Sequence, residues 1–178
     1  ENRRLLNYSV PSMVTLKSEK EIAILREAGQ KLGNILQELK AMVRPGLSTQ
    51  YFEEESRRLI KESGAEPLFL GYKPAGATVP YPAALCIGLN DAVVHTPPDK
   101  DCMIKAGDVV KLDLGLRYQG WCVDSAVTVL VPPIDKKVGQ LIDATALALE
   151  EGIKMAVPGN TLGDIGCFIE KTFRALGF

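Results

Sequence analysis

Two aspartates, Asp113 and Asp124, have ten residues between them, in a stretch that alternates apolar and polar residues around a turn. If Tyr118 and Gln119 form a two-residue hairpin loop, Asp113 lies directly opposite Asp124. Leu112 and its alternate neighbours would then fill the core face, which leaves both carboxylates on the other face. Like charges roughly 5 Å apart destabilise a strand pair unless a cation lies between them. The spacing therefore predicts a divalent metal site.

Three other interpretations of Asp113 and Asp124 remain open. Both could be solvated on an exposed sheet face, or a β-bulge could remove their opposition. They could also share a proton, as in aspartic proteases, although neither lies in a D-T-G loop. In the metal interpretation, two ions that share a bridging carboxylate lower the pKa of a bridging water.

His95 is the one histidine of the chain and follows a cysteine-bearing segment. A lone histidine is more often incidental than catalytic, but its place after a strand that carries Cys86 favours a functional role. The four cysteines form no C-x-x-C motif, so the sequence indicates reduced thiols and not a zinc finger or a redox pair.

Two helix pairs flank the stretch that carries these residues. Ser18 and Glu21 form a capping box for a first amphipathic helix, and Ser48 caps a second one that Gly64 closes. Thr161 and Asp164 start the last helix. A third helix is predicted from the residues that line it, namely Val138, Leu141, Ile142, Thr145 and Leu149.

The two helix pairs recur at an offset of about 113 residues, which places Pro45 on Pro158 and Ser48 on Thr161. An internal duplication is the economical explanation, with a first repeat over about 14–131 and a second starting over about 134–178. Strands at about 83–89, 108–116 and 121–131 complete the first repeat only. The sequence thus predicts an α+β fold whose second repeat is truncated, in a protein of roughly 240 to 250 residues when complete.

Composition excludes several classes of protein. Lys plus Arg total 21 against 22 Asp plus Glu, so the net charge of −1 gives no reason to expect nucleic acid as a main partner. No apolar run is long enough for a membrane span, and residues 1–12 lack the apolar stretch of a secretory signal. We expect a cytoplasmic protein with no membrane partner, and an N-terminal extension of unknown role at residues 1–12.

The stretch from Met13 onward resembles type I methionine aminopeptidase, of the pita-bread metallopeptidase superfamily. In that family a D-x10-D pair supplies two of five metal ligands, here Asp113 and Asp124, and the second aspartate bridges both metals. The other ligands, a His and two Glu, belong to the second half of the family's fold. The segment from Tyr81 to His95 is similar to the family pattern Y-P-x3-C followed by N-[ED]-x-V-x-H.

The resemblance implies a set of roles. His95 would donate a hydrogen bond to the substrate amide, and the methionine pocket would be lined by Phe69, Tyr72, Tyr81 and Cys86. The cofactors would be two divalent ions, drawn from Co, Mn, Fe or Zn. The substrate would be the N-terminal peptide of a nascent protein, cleaved after its initiator methionine by a metal-bridging hydroxide. We also expect a monomer with a transient ribosome contact, and an inactive fragment when residues 1–178 stand alone.

Three departures from the family pattern keep alternatives open. Thr96 replaces the glycine of H-G-x-P, the segment Lys73 to Pro80 is longer than in the enterobacterial form, and Gly115 replaces a Thr or Ser. Asp-Leu-Gly resembles the proline-specific relatives, so an Xaa-Pro aminopeptidase is the first alternative. A non-catalytic pita-bread domain that binds a protein partner is the second.

Overall fold

The computed structural model describes residues 15–178, so the extension predicted at residues 1–12 lies outside the described residues. The class is α+β, as predicted. The elements in chain order are α1 (Glu19–Met42), α2 (Thr49–Glu62), β1 (Glu66–Pro67), β2 (Leu85–Leu89), β3 (Val109–Tyr118), β4 (Trp121–Leu130), α3 (Lys136–Lys154) and α4 (Leu162–Ala175).

The helix starts follow the caps written in the sequence. The Ser18 backbone N–H donates to the Glu21 carboxylate at 2.6 Å, and Glu21 N–H donates back to Ser18 Oγ at 3.4 Å. Ser48 Oγ accepts from the N–H of the third helical residue at 3.2 Å, and Thr161 and Asp164 form a second capping box. These bonds satisfy backbone donors that a helix start leaves free, so all three predicted caps are confirmed.

Strand β3 is the centre of an antiparallel sheet. One edge pairs with β4 over its whole length, and the other edge pairs with β2 and then with β1. Its core face, which carries Val110, Leu112, Leu114 and Leu116, is fully buried against α1 and α2. The opposite face, which carries Asp113, is only half-covered.

The register of the β3–β4 hairpin differs from the prediction. Asp113 lies opposite Ala126 and Asp124 lies opposite Gly115, so the two aspartates are diagonal neighbours and the direct opposition was wrong. The loop consists of Gln119 and Gly120, which both have positive φ (48° and 82°). That conformation is a type I′ turn, whose second position favours glycine. The shift of two residues preserves the side-chain alternation, so both carboxylates still share the face opposite Leu112, as predicted.

The predicted third helix is present, and its buried residues are small ones. Leu141 is 42% exposed and Leu149 is 61% exposed, whereas the buried residues are the small ones, namely Ala144, Ala148 and Gly152. A Cβ at Gly152 would lie 2.9 Å from a side-chain carbon of Ile169, so the small residues let α4 approach closely. Within the described part of the chain, every helix is too short or too polar to cross a lipid bilayer.

Candidate active site

Asp113 lies in the middle of the sheet's half-covered face. It is flanked by Cys86 on β2 and Ala126 on β4, with Asp124 diagonally across the hairpin. The pKa of the Asp113 carboxyl is raised to about 6, chiefly by burial and also by the negative charge of Asp124, while His95 acts against the rise. The three side chains therefore interact electrostatically across one small region of the surface.

The two carboxylates suit a divalent cation. Two like charges held close together repel each other, and a bound cation would remove that repulsion. Carboxylate oxygens are ligands for hard or borderline ions. Among residues 15–178, no group of three or more His, Cys, Asp or Glu side chains is placed to hold a metal ion. Asp113 and Asp124 are thus a pair of neighbouring carboxylates without a full set of metal-binding side chains among the described residues.

His95 lies in the loop between β2 and β3, exposed at the edge of this region. Its backbone adopts a left-handed conformation with φ of 56°, which side-chain-bearing residues seldom adopt. Thr96, which takes the place of the family's usual glycine, has less backbone freedom than a glycine would have. The positive φ falls on His95 instead, so Thr96 takes an ordinary conformation and its Cβ adds no strain.

One cavity of about 540 Å³ brings the predicted residues together. Its lining includes the predicted pocket residues Phe69, Tyr72, Tyr81, Cys86 and His95, together with both aspartates. The rings of Phe69 and Tyr81 meet edge to face, with centroids 6.4 Å apart. Carboxylates at one side and aromatic rings at the other give the cavity a polar wall and an apolar wall.

Sequence reasoning missed a further stretch of the cavity lining. The loop at residues 73–80 contributes Pro74, Ala77, Val79 and Pro80, and Pro82 and Pro97 complete the lining. Two backbone hydrogen bonds close the base of this loop, from Tyr81 N–H to Tyr72 O (2.8 Å) and from Gly71 N–H to Tyr81 O (2.9 Å). The unusual length of this segment was the feature of the sequence that could have indicated its role.

Glu53 is a second residue that the sequence did not single out. Its carboxylate is 3% exposed and accepts the N–H groups of Ala84 and Leu85 at about 2.9 Å. Arg57 donates to the same carboxylate and to the carbonyl of Pro82. Helix α2 thus holds the backbone that leads from Tyr81 into β2. The one sign of this role in the sequence is a glutamate among the apolar positions of an amphipathic helix.

The packing around position 115 explains why this residue is a glycine. A Cβ at this position would lie 2.7 Å from the Phe69 ring and about 3.0 Å from Leu68 Cβ. The backbone carbonyl of Gly115 also accepts from Leu68 N–H at 3.0 Å. The glycine therefore lets the segment that carries Phe69 lie directly on β3, which is a packing requirement and not a property of a proline substrate.

Two carboxylates on a sheet face, in a half-apolar cavity with a histidine at its edge, are the arrangement expected of a metallohydrolase. The chain belongs to metallopeptidase family M24, whose family model matches residues 23–178. It is 42% identical to methionine aminopeptidase of Aquifex aeolicus over 165 aligned residues. The alignment covers 93% of this chain and 64% of that protein.

Solved structures agree with this assignment. Methionine aminopeptidase from Thermotoga maritima matches with a TM-score of 0.86 at 33% identity, over 93% of this chain and 64% of that one. Prolidase from Pyrococcus furiosus matches with a TM-score of 0.77 at 19% identity, over 92% and 45%, which shows the shared fold alone. The pita-bread fold predicted for the chain is confirmed, and the chain spans 64% of the length of its methionine aminopeptidase relatives.

Proposed function

We propose that the protein is a methionine aminopeptidase, a metal-dependent hydrolase that removes methionine from the N-terminus of a polypeptide. The observation that carries the proposal is the single cavity that contains Asp113, Asp124 and His95 beside an aromatic wall. The 42% identity to a methionine aminopeptidase supports the same substrate class.

Asp113 and Asp124 would hold the metal. Two divalent ions would be held, with Asp124 contributing to the binding of both, and the identity of the ion among Co, Mn, Fe and Zn stays open. Bound there, the metal would supply a Lewis acid and lower the pKa of a coordinated water. The two carboxylates orient that chemistry toward the cavity because their side chains share its polar wall.

The rest of the cavity would bind and orient the peptide. Phe69 and Tyr81 offer aromatic surfaces, against which the thioether of a methionine side chain packs favourably. Cys86 is buried, and burial raises the pKa of its thiol, so it would serve as a neutral part of the wall. His95 would donate a hydrogen bond to the reacting amide and stabilise the charge that develops there.

The Xaa-Pro alternative rested on Asp113-Leu114-Gly115. Because Gly115 is required by the approach of Leu68 and Phe69, the tripeptide loses its weight as a marker of proline specificity. A non-catalytic binding domain would have no need to keep two carboxylates and a histidine on one cavity. Nascent chains in the cytosol would be the substrate pool, with a monomeric enzyme in transient contact with the ribosome.

The test compares two variants of the whole protein by metal content and by turnover of a Met-Ala peptide. Asp124→Asn should lose both, because an amide lacks the charge and the second equivalent oxygen that bridging needs. His95→Ala should keep its metal and lose about 10²- to 10³-fold in turnover, the usual effect of removing one preorganised donor.

Two outcomes would contradict the role proposed for His95. Loss of metal from His95→Ala as severe as that from Asp124→Asn would make His95 a ligand or a structural support. Full activity of His95→Ala would make the histidine incidental. Asp91→Asn serves as the control, since Asp91 is an exposed carboxylate outside the cavity lining. Its loss should alter neither metal content nor turnover.

A further inference from the structure

Tyr81 connects the cavity wall to the loop that carries His95. We propose that its hydroxyl is a positioning group that holds His95 in place through the backbone of Thr96, a role separate from that of its ring. The hydroxyl oxygen lies 3.1 Å from the carbonyl oxygen of Thr96 and 3.2 Å from that of Leu85, so one proton is shared between two acceptors. The catalytic consequence of this role rests on the proposed function, whereas the positioning itself does not.

The conformation of His95 explains why its loop needs such an anchor. A left-handed backbone at a residue with a side chain is disfavoured and persists only where the surroundings fix it. The peptide group that follows Thr96, one residue after His95, is fixed from two directions. The carbonyl oxygen of Thr96 accepts the N–H of Ile87 at 3.0 Å and also accepts the Tyr81 hydroxyl. These two hydrogen bonds use both lone pairs of the carbonyl oxygen.

Tyr81 is itself held rigidly, which makes it an effective anchor. Its N–H donates to the carbonyl of Tyr72, its carbonyl accepts from the N–H of Gly71, and its ring meets Phe69 edge to face. Little side-chain freedom is therefore left to lose when the hydroxyl bond forms. A rigid group that supports a functional side chain fixes its geometry more closely than a mobile one does.

The ring and the hydroxyl answer different needs. An apolar wall for a thioether requires only an aromatic ring, which phenylalanine would supply equally well. A half-buried phenol keeps its hydroxyl where that hydroxyl has a partner, and here the partners are the start of β2 at Leu85 and the loop of His95 at Thr96. The residue type at this position therefore reflects the histidine loop as well as the pocket.

Tyr81→Phe tests the proposal because it removes one oxygen and keeps the ring. Tyr118→Phe is the matched control, since it removes a hydroxyl that donates to Glu27 at 2.6 Å, away from the cavity lining. The sequence contains one histidine, so a histidine-labelled sample of the 178-residue chain reports His95 alone in an NMR spectrum. Amide exchange at Ile87 reports the neighbouring bond, measured relative to the Leu112 amide in the core.

We expect Tyr81→Phe to shift the His95 signals and to speed exchange at Ile87 about 5- to 10-fold relative to Leu112, the effect of one neutral hydrogen bond. Tyr118→Phe should change neither quantity. Unchanged His95 signals and unchanged Ile87 exchange in Tyr81→Phe would overturn the proposal. If Tyr81→Phe does not fold, exchange of the Tyr81 hydroxyl proton is measured in the unsubstituted protein instead. The proposal requires slow exchange of that proton, and free exchange would overturn it.

Kinetics of the whole protein separate this proposal from the proposed function. Tyr81→Phe should lower kcat about 5- to 10-fold and leave KM for a methionyl peptide within about twofold, because the ring remains in the wall. A rise in KM with unchanged kcat would mean that the hydroxyl binds substrate, which overturns the positioning role. If the unsubstituted protein hydrolyses no methionyl peptide, the proposed function fails, and the NMR comparison still decides whether Tyr81 positions His95.

Discussion

At the scale of single residues, Gly115, two positions after Asp113, allows the segment that carries Phe69 to pack on β3. Gly115 is a position where any side chain would collide with Phe69 and with the Cβ of Leu68. Sequence patterns alone assigned this glycine to substrate choice, because a pattern cannot show which segment packs over a strand. The structure assigns it to the seating of an aromatic ring that lines the cavity.

Gly115→Ala should therefore destabilise the chain by about 1 to 3 kcal/mol, the usual range for an inserted methyl group in a packed site. Gly29→Ala is the matched control, since an added Cβ in that exposed position of α1 meets nothing within 4 Å and alanine favours the helix by up to about 1 kcal/mol. Urea denaturation of both variants measures the difference. Equal stability of Gly115→Ala and the unsubstituted chain would show that Phe69 moves aside freely.

The aspartate pair shows how far residue patterns reach. Alternation placed Asp113 and Asp124 on one face, and the structure agrees, because a register shift of two residues leaves faces unchanged. The exact partner was wrong because the hairpin turn was placed one residue too early. Gly120 at the second position of a type I′ turn was the available clue.

At the scale of elements, Glu53 determines how α2 meets the sheet. Its carboxylate satisfies two backbone N–H groups at the start of β2, those of Ala84 just before the strand and of Leu85 at its first position. Helix caps and apolar periodicity predicted both helices from the sequence, since those features depend on residues a few positions apart. The Glu53 contact joins residues more than thirty positions apart, and no local pattern contains it.

Glu53→Gln should destabilise the chain by about 2 to 3 kcal/mol, because hydrogen bonds to a charged acceptor are lost and an amide group faces buried donors. Glu54→Gln on the exposed side of the same helix is the control and should stay within about 0.5 kcal/mol. Thermal unfolding followed by circular dichroism compares them. A Glu53→Gln variant as stable as the control would show that the buried carboxylate contributes nothing to the attachment of α2.

At the scale of the whole molecule, the two helix pairs occupy unequal surroundings. Helix α4 starts and ends 113 residues after α2, as the predicted repeat requires, and the division of the chain into two repeats stays a prediction. Helices α1 and α2 bury apolar side chains against the sheet, whereas α3 and α4 have their main contacts with each other. Helical periodicity predicted α3 from the residues that line it, but periodicity does not show which residues of a helix are buried against a neighbouring element.

This inequality predicts a gradient of local stability. Amide hydrogens of α3 and α4 should exchange faster than those of α1 and α2, because α4 has no buried residue and α3 buries only small ones. Hydrogen exchange followed by mass spectrometry of the 178-residue chain measures all four helices at once. Gly152→Ala sharpens the test, since its Cβ would press on Ile169 and should speed exchange in α4 while leaving α1 unchanged. Equal protection in all four helices, or an effect of Gly152→Ala that spreads to α1, would mean that the helix pairs unfold as one cooperative unit.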